Sequence, residues 1–382
     1  MTALVSYSVS IVITATGCVL SGQNEEIIAV ATRSRPTSLS EGKADFSGAT
    51  SPVYDRALNA WIITDSRHCR ELLRSDHLTQ PQYISKYEEL AARLGLDFAQ
   101  ICFALRHIPL CLDGSRHAQA RRALASIIAT NHATLGQAAP LLVERYFGGL
   151  RSAGRYDLMR TAVEPLVDTL ISTLVGIPAE IIGRFQNLGQ VFDMSIGVSK
   201  RRQLELRLSN ARAEIEASLG GQASPDDVGY RLALIILGRD ALVGTIGESL
   251  HELIADEGGP GPVDVIARGR PWSTIEFPAQ PPRTGVTHIE RVVAQTLEFE
   301  SCVLNAGDRV RLYLQADEGV TGHALFGTGA HACLGQPRAM DLWREICSFL
   351  AALPSLVSVV EYRPRTSDYV FSHPEVLVVE IQ

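Results

Sequence analysis

The feature that most constrains the fold is a long central stretch, residues 87–257, in which apolar residues recur at steps of three and four almost without interruption. The pattern is clearest at 141–150, 166–174 and 204–219. Such spacing is typical of amphipathic helices that share one core, and glycine or proline marks the breaks between them. The sequence therefore predicts a mainly α fold in its central part.

Short β patterns occupy both ends of the chain. Residues 51–78 carry the pattern of strand, turn, strand and helix, and residues 291–314 that of two strands around a turn at 305–308. Residues 356–382 alternate between apolar and polar side chains as a hairpin does. We therefore expect small β portions at each end of a mainly α chain.

The remaining segments complete the predicted organisation. Four prolines between residues 271 and 285 exclude one regular element there, because proline lacks the backbone N–H and fixes φ. A helix is predicted at about 334–350. The absence of a repeat or low-complexity tract favours a single domain, 1–382, in which 1–50 form a divergent N-terminal segment.

Charge and cysteine usage exclude several classes of protein. The net charge is −7 over 382 residues, and the chain has no basic block, which makes nucleic acid a poor partner. The seven cysteines are an odd number with no CxxC pair, so they indicate neither a disulfide framework nor a zinc site. A reducing, cytoplasmic compartment fits this usage.

The apolar N-terminal stretch, residues 3–20, does not fit a secretion signal or a membrane span. No lysine or arginine precedes Arg33, whereas a signal peptide begins with a basic region. Its polar residues alternate with mostly apolar ones at a period of two, which is typical of a strand rather than a spanning helix. We therefore expect no membrane span.

The stretch around Cys333 carries the clearest chemical pattern. Gly327 and Gly329 allow a tight loop that lies close to a flat ligand. Cys333 directly precedes an apolar helix, whose positive end favours a thiolate over a thiol. Gly335 keeps the first turn of that helix thin, and His331 offers a donor to an anionic group.

This stretch resembles the haem-binding loop of the cytochrome P-450 family. The matching residues are Phe326, Gly327, Gly329, His331, Cys333 and Gly335. The resemblance implies haem b (iron protoporphyrin IX) with the Cys333 thiolate as its axial iron ligand, which favours oxygen–oxygen cleavage. It also implies the family's fold, with haem between the long central helix and the helix after the Cys loop. A Gly-rich loop around a buried structural cysteine is the alternative.

Two further segments resemble this family. His117 and Arg121 lie one helical turn apart, as do the residues that contact haem propionates in the family's third helix. Arg291, on the first strand of the pair at 291–314, matches the arginine that binds a propionate. Without the Cys loop, all three residues would be read as exposed surface charges, since charged residues are mostly exposed.

The chain departs from the family's pattern on the distal side of the expected haem. The central helix of the family places an acid before a threonine, and this pair delivers protons during oxygen activation. Here Asp240 supplies the acid, Ala241 stands where the alcohol is expected, and Thr245 lies one turn further along the same face. We take these three residues as candidate catalytic positions, with solvent exposure as the alternative for Asp240.

Two other departures concern the opposite side. The family's Glu-x-x-Arg helix is missing or remodelled, because Glu276 is followed by Pro278 and no arginine completes the motif, while 264–268 is one residue too long. Only eight residues, 315–322, separate the last strand of the pair from His323, where the family has a longer stretch. This shortening puts ordinary electron delivery in doubt.

The resemblance implies a monooxygenase-like haem-thiolate oxidoreductase that acts on a small organic molecule in a biosynthetic pathway. The partners that it implies are this substrate and a ferredoxin-type electron donor. A peroxide-using enzyme, or a non-oxidative isomerase or dehydratase, is the first alternative. In such an enzyme Arg239 would anchor a substrate carboxylate. The competing interpretation is that the Arg239 side chain points into solvent. A non-catalytic haem-binding protein is the second alternative. A zinc or iron–sulfur protein is disfavoured, since no second cysteine lies near Cys333 at ligand spacing.

Overall fold

The computed structural model describes residues 52–255, 269–314, 324–365 and 370–382. The predictions for residues 1–50, 264–268 and 315–322 lie outside the described residues. The described α-helices are α1 Ser66–Leu72, α2 Tyr83–Leu94, α3 Ala99–His107, α4 Gly114–Thr130, α5 His132–Phe147, α6 Glu164–Val175, α7 Ala179–Ile182, α8 Val198–Ser218, α9 Pro225–Ile254 and α10 Gln336–Ala351. The described strands are β1 Val53–Asp55, β2 Ala60–Ile63, β3 Leu78–Thr79, β4 Gly154–Asp157, β5 Arg270–Pro271, β6 His288–Val293, β7 Leu297–Phe299, β8 Cys302–Leu304, β9 Arg309–Tyr313, β10 Leu356–Pro364 and β11 Pro374–Ile381. The predicted mainly α fold with small β portions is confirmed.

Helix α9 is the central element of the helical part. It begins at a capping box, in which the Ser224 hydroxyl accepts from the Asp227 N–H and the Asp227 carboxylate accepts from the Ser224 N–H. Pro225 fits the first turn, where no intrahelical donor is needed. Helices α3, α4, α6 and α8 all pack against α9. Burial on several sides explains why its sequence is apolar almost all round.

Most strands come from the two terminal parts of the described chain, as the sequence predicts, but β4 interrupts the predicted helical centre. One sheet has the order β1-β2-β9-β6-β3, in which β6 pairs antiparallel with β9 and places Arg291 opposite Val310. A second sheet, β4-β11-β10-β5, contains the C-terminal hairpin. Between β6 and β9 a small hairpin, β7-β8, turns at Glu300, whose φ is +51°. The sequence missed this extra hairpin because its strands have only three residues each.

The proline-containing segment is irregular, as predicted. Residues 269–287 hold the two-residue strand β5 and one 3₁₀ turn, Trp272–Thr274, and no α-helix. Trp272 is fully buried, and the indole N–H of Trp343 on α10 donates to the carbonyl of Pro278 at 3.0 Å. The segment therefore packs directly against α10, where two buried indoles anchor it.

Candidate haem site

A cavity of about 260 Å³ lies between α9 and the loop that carries Cys333. Its walls are mostly apolar side chains from α4, α6, α9 and α10, together with residues from 284–289 and the Val370–Phe371 pair. The titratable side chains that line it are Arg121, His331, Cys333 and Arg338. An apolar chamber with a few polar groups at one edge is the usual form of a small-molecule or cofactor site.

The Cys loop has the tight geometry that its glycines predict. Gly327 and Gly329 have φ values of +66° and +71°, which non-glycine residues rarely adopt. The Cys333 N–H donates to the Phe326 carbonyl at 2.8 Å and closes the loop. This closure places Phe326, His331, Cys333 and the start of α10 along one edge of the cavity.

Cys333 is exposed where it lines the cavity. Burial among protein atoms raises the pKa of its thiol above the ordinary value, and hydrogen bonds from the backbone N–H groups of Gly335 and Gln336 oppose this rise. These donors belong to the first turn of α10, whose positive end also favours a thiolate. A Cβ at Gly335 would lie 3.7 Å from the Cys333 sulfur.

Three of the sequence-predicted residues meet beside the cavity, and one of them, His331, lines it. The rings of His117 and His331 lie 4.1 Å apart between centroids, and Arg291 approaches them from β6. Burial lowers the pKa of His331 to about 3, that of Arg291 to about 10, and that of His117 below its ordinary value. For the two histidines, neighbouring positive charge lowers the pKa further. This group of residues, the electropositive cluster, takes its positive charge from Arg291, because the lowered pKa leaves both histidines neutral near pH 7.

Two donors in this electropositive cluster have no partner among the described residues. They are Nη2 of Arg291, a residue only 3% exposed, and Nε2 of His117. A buried unpartnered donor costs about 1 to 3 kcal/mol, so the cluster is suited to an anion. Arg121, one turn from His117 on α4, also lines the cavity. The structure thus brings the three residues that the resemblance assigned to propionate binding, His117, Arg121 and Arg291, together with His331.

Gln80 belongs to this cluster and was missed from the sequence. It follows β3, is 3% exposed, and its Nε2 lies 3.0 Å from Nε2 of His331. Its side-chain oxygen has no partner among the described residues. No local pattern marks Gln80, because its place depends on the pairing of β3 with β6.

The three candidate distal residues do not act as a group. Ala241 and Thr245 line the cavity. The Thr245 hydroxyl donates to the Ala241 carbonyl at 2.8 Å and accepts from the Gly285 N–H at 2.9 Å. The Asp240 carboxylate, which is buried and outside the cavity lining, accepts from Arg239 at 2.8 Å and from the Asn187 N–H at 2.7 Å.

Arg239 does not line the cavity, and the hypothesis that it anchors a substrate carboxylate is wrong. It is 1% exposed and lies between two carboxylates, with Nε 2.7 Å from Asp168 and Nη1 2.8 Å from Asp240. The competing interpretation, an arginine in solvent, is also wrong. The sequence around Arg239 could not reveal this buried pairing, because the partner Asp168 lies on a different helix, α6.

The residues of this cavity fit a haem with a thiolate ligand. Cys333 supplies sulfur next to two backbone donors, the electropositive cluster suits two carboxylates, and the remaining walls are apolar. Each of these three features matches one chemical part of iron protoporphyrin IX.

None of the helices in the described parts of the chain is long and apolar enough to cross a bilayer.

Comparisons with known proteins agree with this geometry. No family model and no curated protein matches the sequence. Among solved structures, CalO2 is similar with a TM-score of 0.67 and 15% identity, covering 88% of this chain and 94% of its own. P450BioI, in complex with an acyl carrier protein ligated to hexadecenoic acid, gives 0.62 and 15%, with 85% and 92% covered. PksS, the cytochrome of the bacillaene polyketide synthase of Bacillus subtilis, gives 0.62 and 16%, with 85% and 90% covered. The chain therefore has the cytochrome P-450 fold.

Proposed function

We propose that this chain, which has the cytochrome P-450 fold, is a haem-thiolate oxidoreductase that acts on an apolar small molecule. One observation carries the proposal: Cys333, Arg121 and His331 line the same apolar cavity. Next to His331 lie His117 and Arg291, each with a buried nitrogen that has no partner among the described residues. A buried structural cysteine explains neither the unpartnered donors nor the cavity. The alternative of a Gly-rich structural loop is therefore disfavoured.

In this proposal Cys333 holds the iron of haem b, and His117, Arg121, Arg291 and His331 hold its propionates. When bound, a thiolate-ligated haem supplies oxygen activation, because the thiolate pushes electron density onto the iron. The protein's own residues exclude water and orient the substrate. Leu234, Leu237 and other apolar side chains desolvate the chamber, and no acidic side chain lines it within the described residues. A neutral, largely apolar substrate suits these walls.

A biosynthetic role is supported by the similar structures. One of them was solved with a fatty acid on an acyl carrier protein, and another serves a polyketide synthase. We infer by analogy that the substrate here is also a biosynthetic intermediate. A ferredoxin-type electron donor remains part of the proposal for reductase-driven turnover.

A second candidate function is favoured by the distal residues. Asp240 is committed to Arg239 and Asn187, and the Thr245 proton is committed to the Ala241 carbonyl. A peroxide-using or non-oxidative haem-thiolate enzyme does not depend on proton delivery by such a pair. Turnover with hydrogen peroxide alone, compared with turnover driven by a ferredoxin and its reductase, separates the two candidates.

The first test is the absorption spectrum of the purified, reduced protein with and without carbon monoxide. We expect a strongly red-shifted carbonyl Soret band, which reports a thiolate opposite the carbon monoxide. Cys333→Ser should abolish this band, since a neutral hydroxyl is a weak iron ligand. The matched control is Cys302→Ser, because a hydroxyl there can replace the thiol that donates to the Phe299 carbonyl. Absence of haem after reconstitution, or an unchanged spectrum in Cys333→Ser, contradicts the proposal.

A further inference from the structure

One wall of the cavity is formed by Val370 and Phe371, whose backbone is fixed by pairing with the segment before β6. Phe371 pairs with Val286, the Thr287 N–H donates to the Val370 carbonyl, and the Ser372 N–H donates to the Gly285 carbonyl, the last two at 2.8 Å. The backbone of Phe371 therefore cannot shift without breaking this pairing.

This paired wall lies directly on α9 through two glycines. A Cβ at Gly244 would lie 2.0 Å from the Ser372 carbonyl oxygen, and a Cβ at Gly285 would lie 2.3 Å from the Ala241 carbonyl oxygen. Such distances are far inside van der Waals contact, so only glycine permits this approach. The Thr245 hydroxyl, which accepts from the Gly285 N–H, fastens the wall to the helix. The position of Phe371 is thereby fixed relative to α9.

The Phe371 ring rests on a 3₁₀ turn, Leu188–Phe192, which covers it from the other side. A Cβ at Gly189 would lie 2.3 Å and 2.5 Å from two carbons of the ring. The Phe192 ring contacts the Phe371 ring edge-on, with 6.2 Å between centroids. The ring is 5% exposed and lies between the turn and the cavity.

Buried charges hold this turn in place. The Asn187 N–H, at the start of the turn, donates to Asp240 at 2.7 Å. Asp240 is paired with Arg239, which is paired in turn with Asp168 on α6. All three charged side chains have 14% exposure or less. The turn is therefore anchored to both α6 and α9.

We propose that the Phe371 ring packs on Gly189, the seat of the ring, and that this contact sets the upper size of the molecule that the cavity accepts. Asp240 is the positioning residue, because it holds the turn that carries Gly189. The inference rests on the proposed function only in taking the cavity as the substrate site. The depth to which the Phe371 ring projects into the cavity depends on the absence of a Cβ at Gly189. A single methyl group there is expected to change which molecules bind.

The test uses Gly189→Ala. Its φ lies outside the left-handed region, so alanine keeps the backbone conformation, but its Cβ would lie well inside the contact distance of about 3.5 to 4.0 Å. The fixed backbone leaves movement into the cavity as the relief for the ring. Gly197→Ala is the matched control, because nothing lies within 4 Å of a Cβ there.

The measurement is an optical titration of the haem-loaded variants with imidazole, phenylimidazole and naphthylimidazole. Gly189→Ala should weaken naphthylimidazole binding by about tenfold or more, the effect of a methylene in an apolar pocket, and leave imidazole binding unchanged. Phe371→Ala should strengthen naphthylimidazole binding. In the double variant the Gly189→Ala effect should vanish, because the two residues are in contact. An unchanged affinity series in Gly189→Ala overturns the proposal, since it means that the turn moves instead of the ring, and an unchanged series in Phe371→Ala overturns it because the ring then does not limit the size.

Asp240 has its own readout. Asp240→Ala should speed hydrogen exchange at the Asn187 amide and relax the size preference, while Asp240→Asn, whose side-chain oxygen can still accept, should restore both. Loss of stability without these two changes contradicts a positioning role.

Failure of the proposed function is distinguishable from failure of this inference. If the protein takes up no haem, imidazoles give no spectral shift, and the same variants are titrated with Nile red by fluorescence. Weaker binding in Gly189→Ala and tighter binding in Phe371→Ala then still support the inference, and equal binding in both overturns it.

Discussion

Replacing Arg239 by methionine is the sharpest test of the buried charge network. Arg239 is 1% exposed and is paired with both Asp168 and Asp240, which are 14% and 5% exposed. Burial alone would lower the pKa of Arg239, but the two carboxylates raise it, so the arginine is charged. Methionine has a similar length and leaves both carboxylates buried without a cation. Removal of one partner of a buried ion pair costs about 3 to 5 kcal/mol.

The loss should depend on pH in a defined direction. Burial raises the pKa of Asp168 despite the neighbouring Arg239, which lowers it. Without Arg239 the pKa of Asp168 should rise further. A carboxyl whose pKa is higher in the folded than in the unfolded chain takes up a proton on folding. The free energy of unfolding of the protein therefore decreases as pH rises from the unfolded pKa of about 3.9 through the folded pKa. Arg239→Met should therefore cost less at acidic than at neutral pH.

The assay is urea unfolding at neutral pH and at acidic pH. At a slope of about 3 kcal/mol per molar, a loss of about 4 kcal/mol lowers the midpoint by about 1 M. The control is Arg106→Met, which removes a solvent-exposed pair with Glu88 and should cost less than about 1 kcal/mol. Adding Asp168→Asn and Asp240→Asn to Arg239→Met should recover part of the loss. Equal midpoints for Arg239→Met and Arg106→Met would refute the reasoning.

Three further predictions concern the cavity wall, the electropositive cluster and a buried histidine on β6. Ala241→Thr should change the ratio of peroxide-driven to reductase-driven turnover, and an unchanged ratio would mean that this position does not control proton delivery. Arg291→Leu should speed haem transfer to apomyoglobin by roughly ten- to a hundredfold, since a hydrogen bond to a charged group contributes about 1.5 to 3 kcal/mol; equal transfer rates would remove Arg291 from the propionate site. Burial, followed by the charge of Arg311, lowers the pKa of His288 to about 4. Because this pKa is below the unfolded value of about 6.5, stability should be lost as pH falls from about 6.5 to about 4, and His288→Gln should flatten this loss in urea midpoints.

The ligand loop could be predicted from sequence because its residues are close neighbours along the chain. The φ values of Gly327 and Gly329, and the position of Cys333 before α10, follow from local constraints on glycine and on helix ends. The helical centre and the terminal strands follow from periodicity in the same way. His117 and Arg291 come together from α4 and β6, and only the family resemblance linked them in advance.

The remaining features depend on contacts between distant segments. Gln80 reaches His331 through the pairing of β3 with β6, and Arg239 meets Asp168 across two helices. Gly189 could be recognised as a seat only once Phe371, far along the chain, was placed against it. In each case the residue type is common and the distance along the chain is long, so no spacing rule applies.

Thr245 shows how one side chain can belong to the cavity and still be committed to the fold. Its hydroxyl proton goes to the Ala241 carbonyl, and its oxygen accepts the Gly285 N–H that fastens the Phe371 wall to α9. Donation toward the cavity would require Thr245 to give up the bond to Ala241. The loss of a buried hydrogen bond costs about 1 kcal/mol, and an unpartnered Gly285 N–H would cost more. Rotation of the Thr245 O–H bond that keeps the hydrogen bond from Gly285 therefore costs less free energy. Thr245 can deliver a proton while the Phe371 wall stays fixed only if its oxygen remains in place and its proton alone moves.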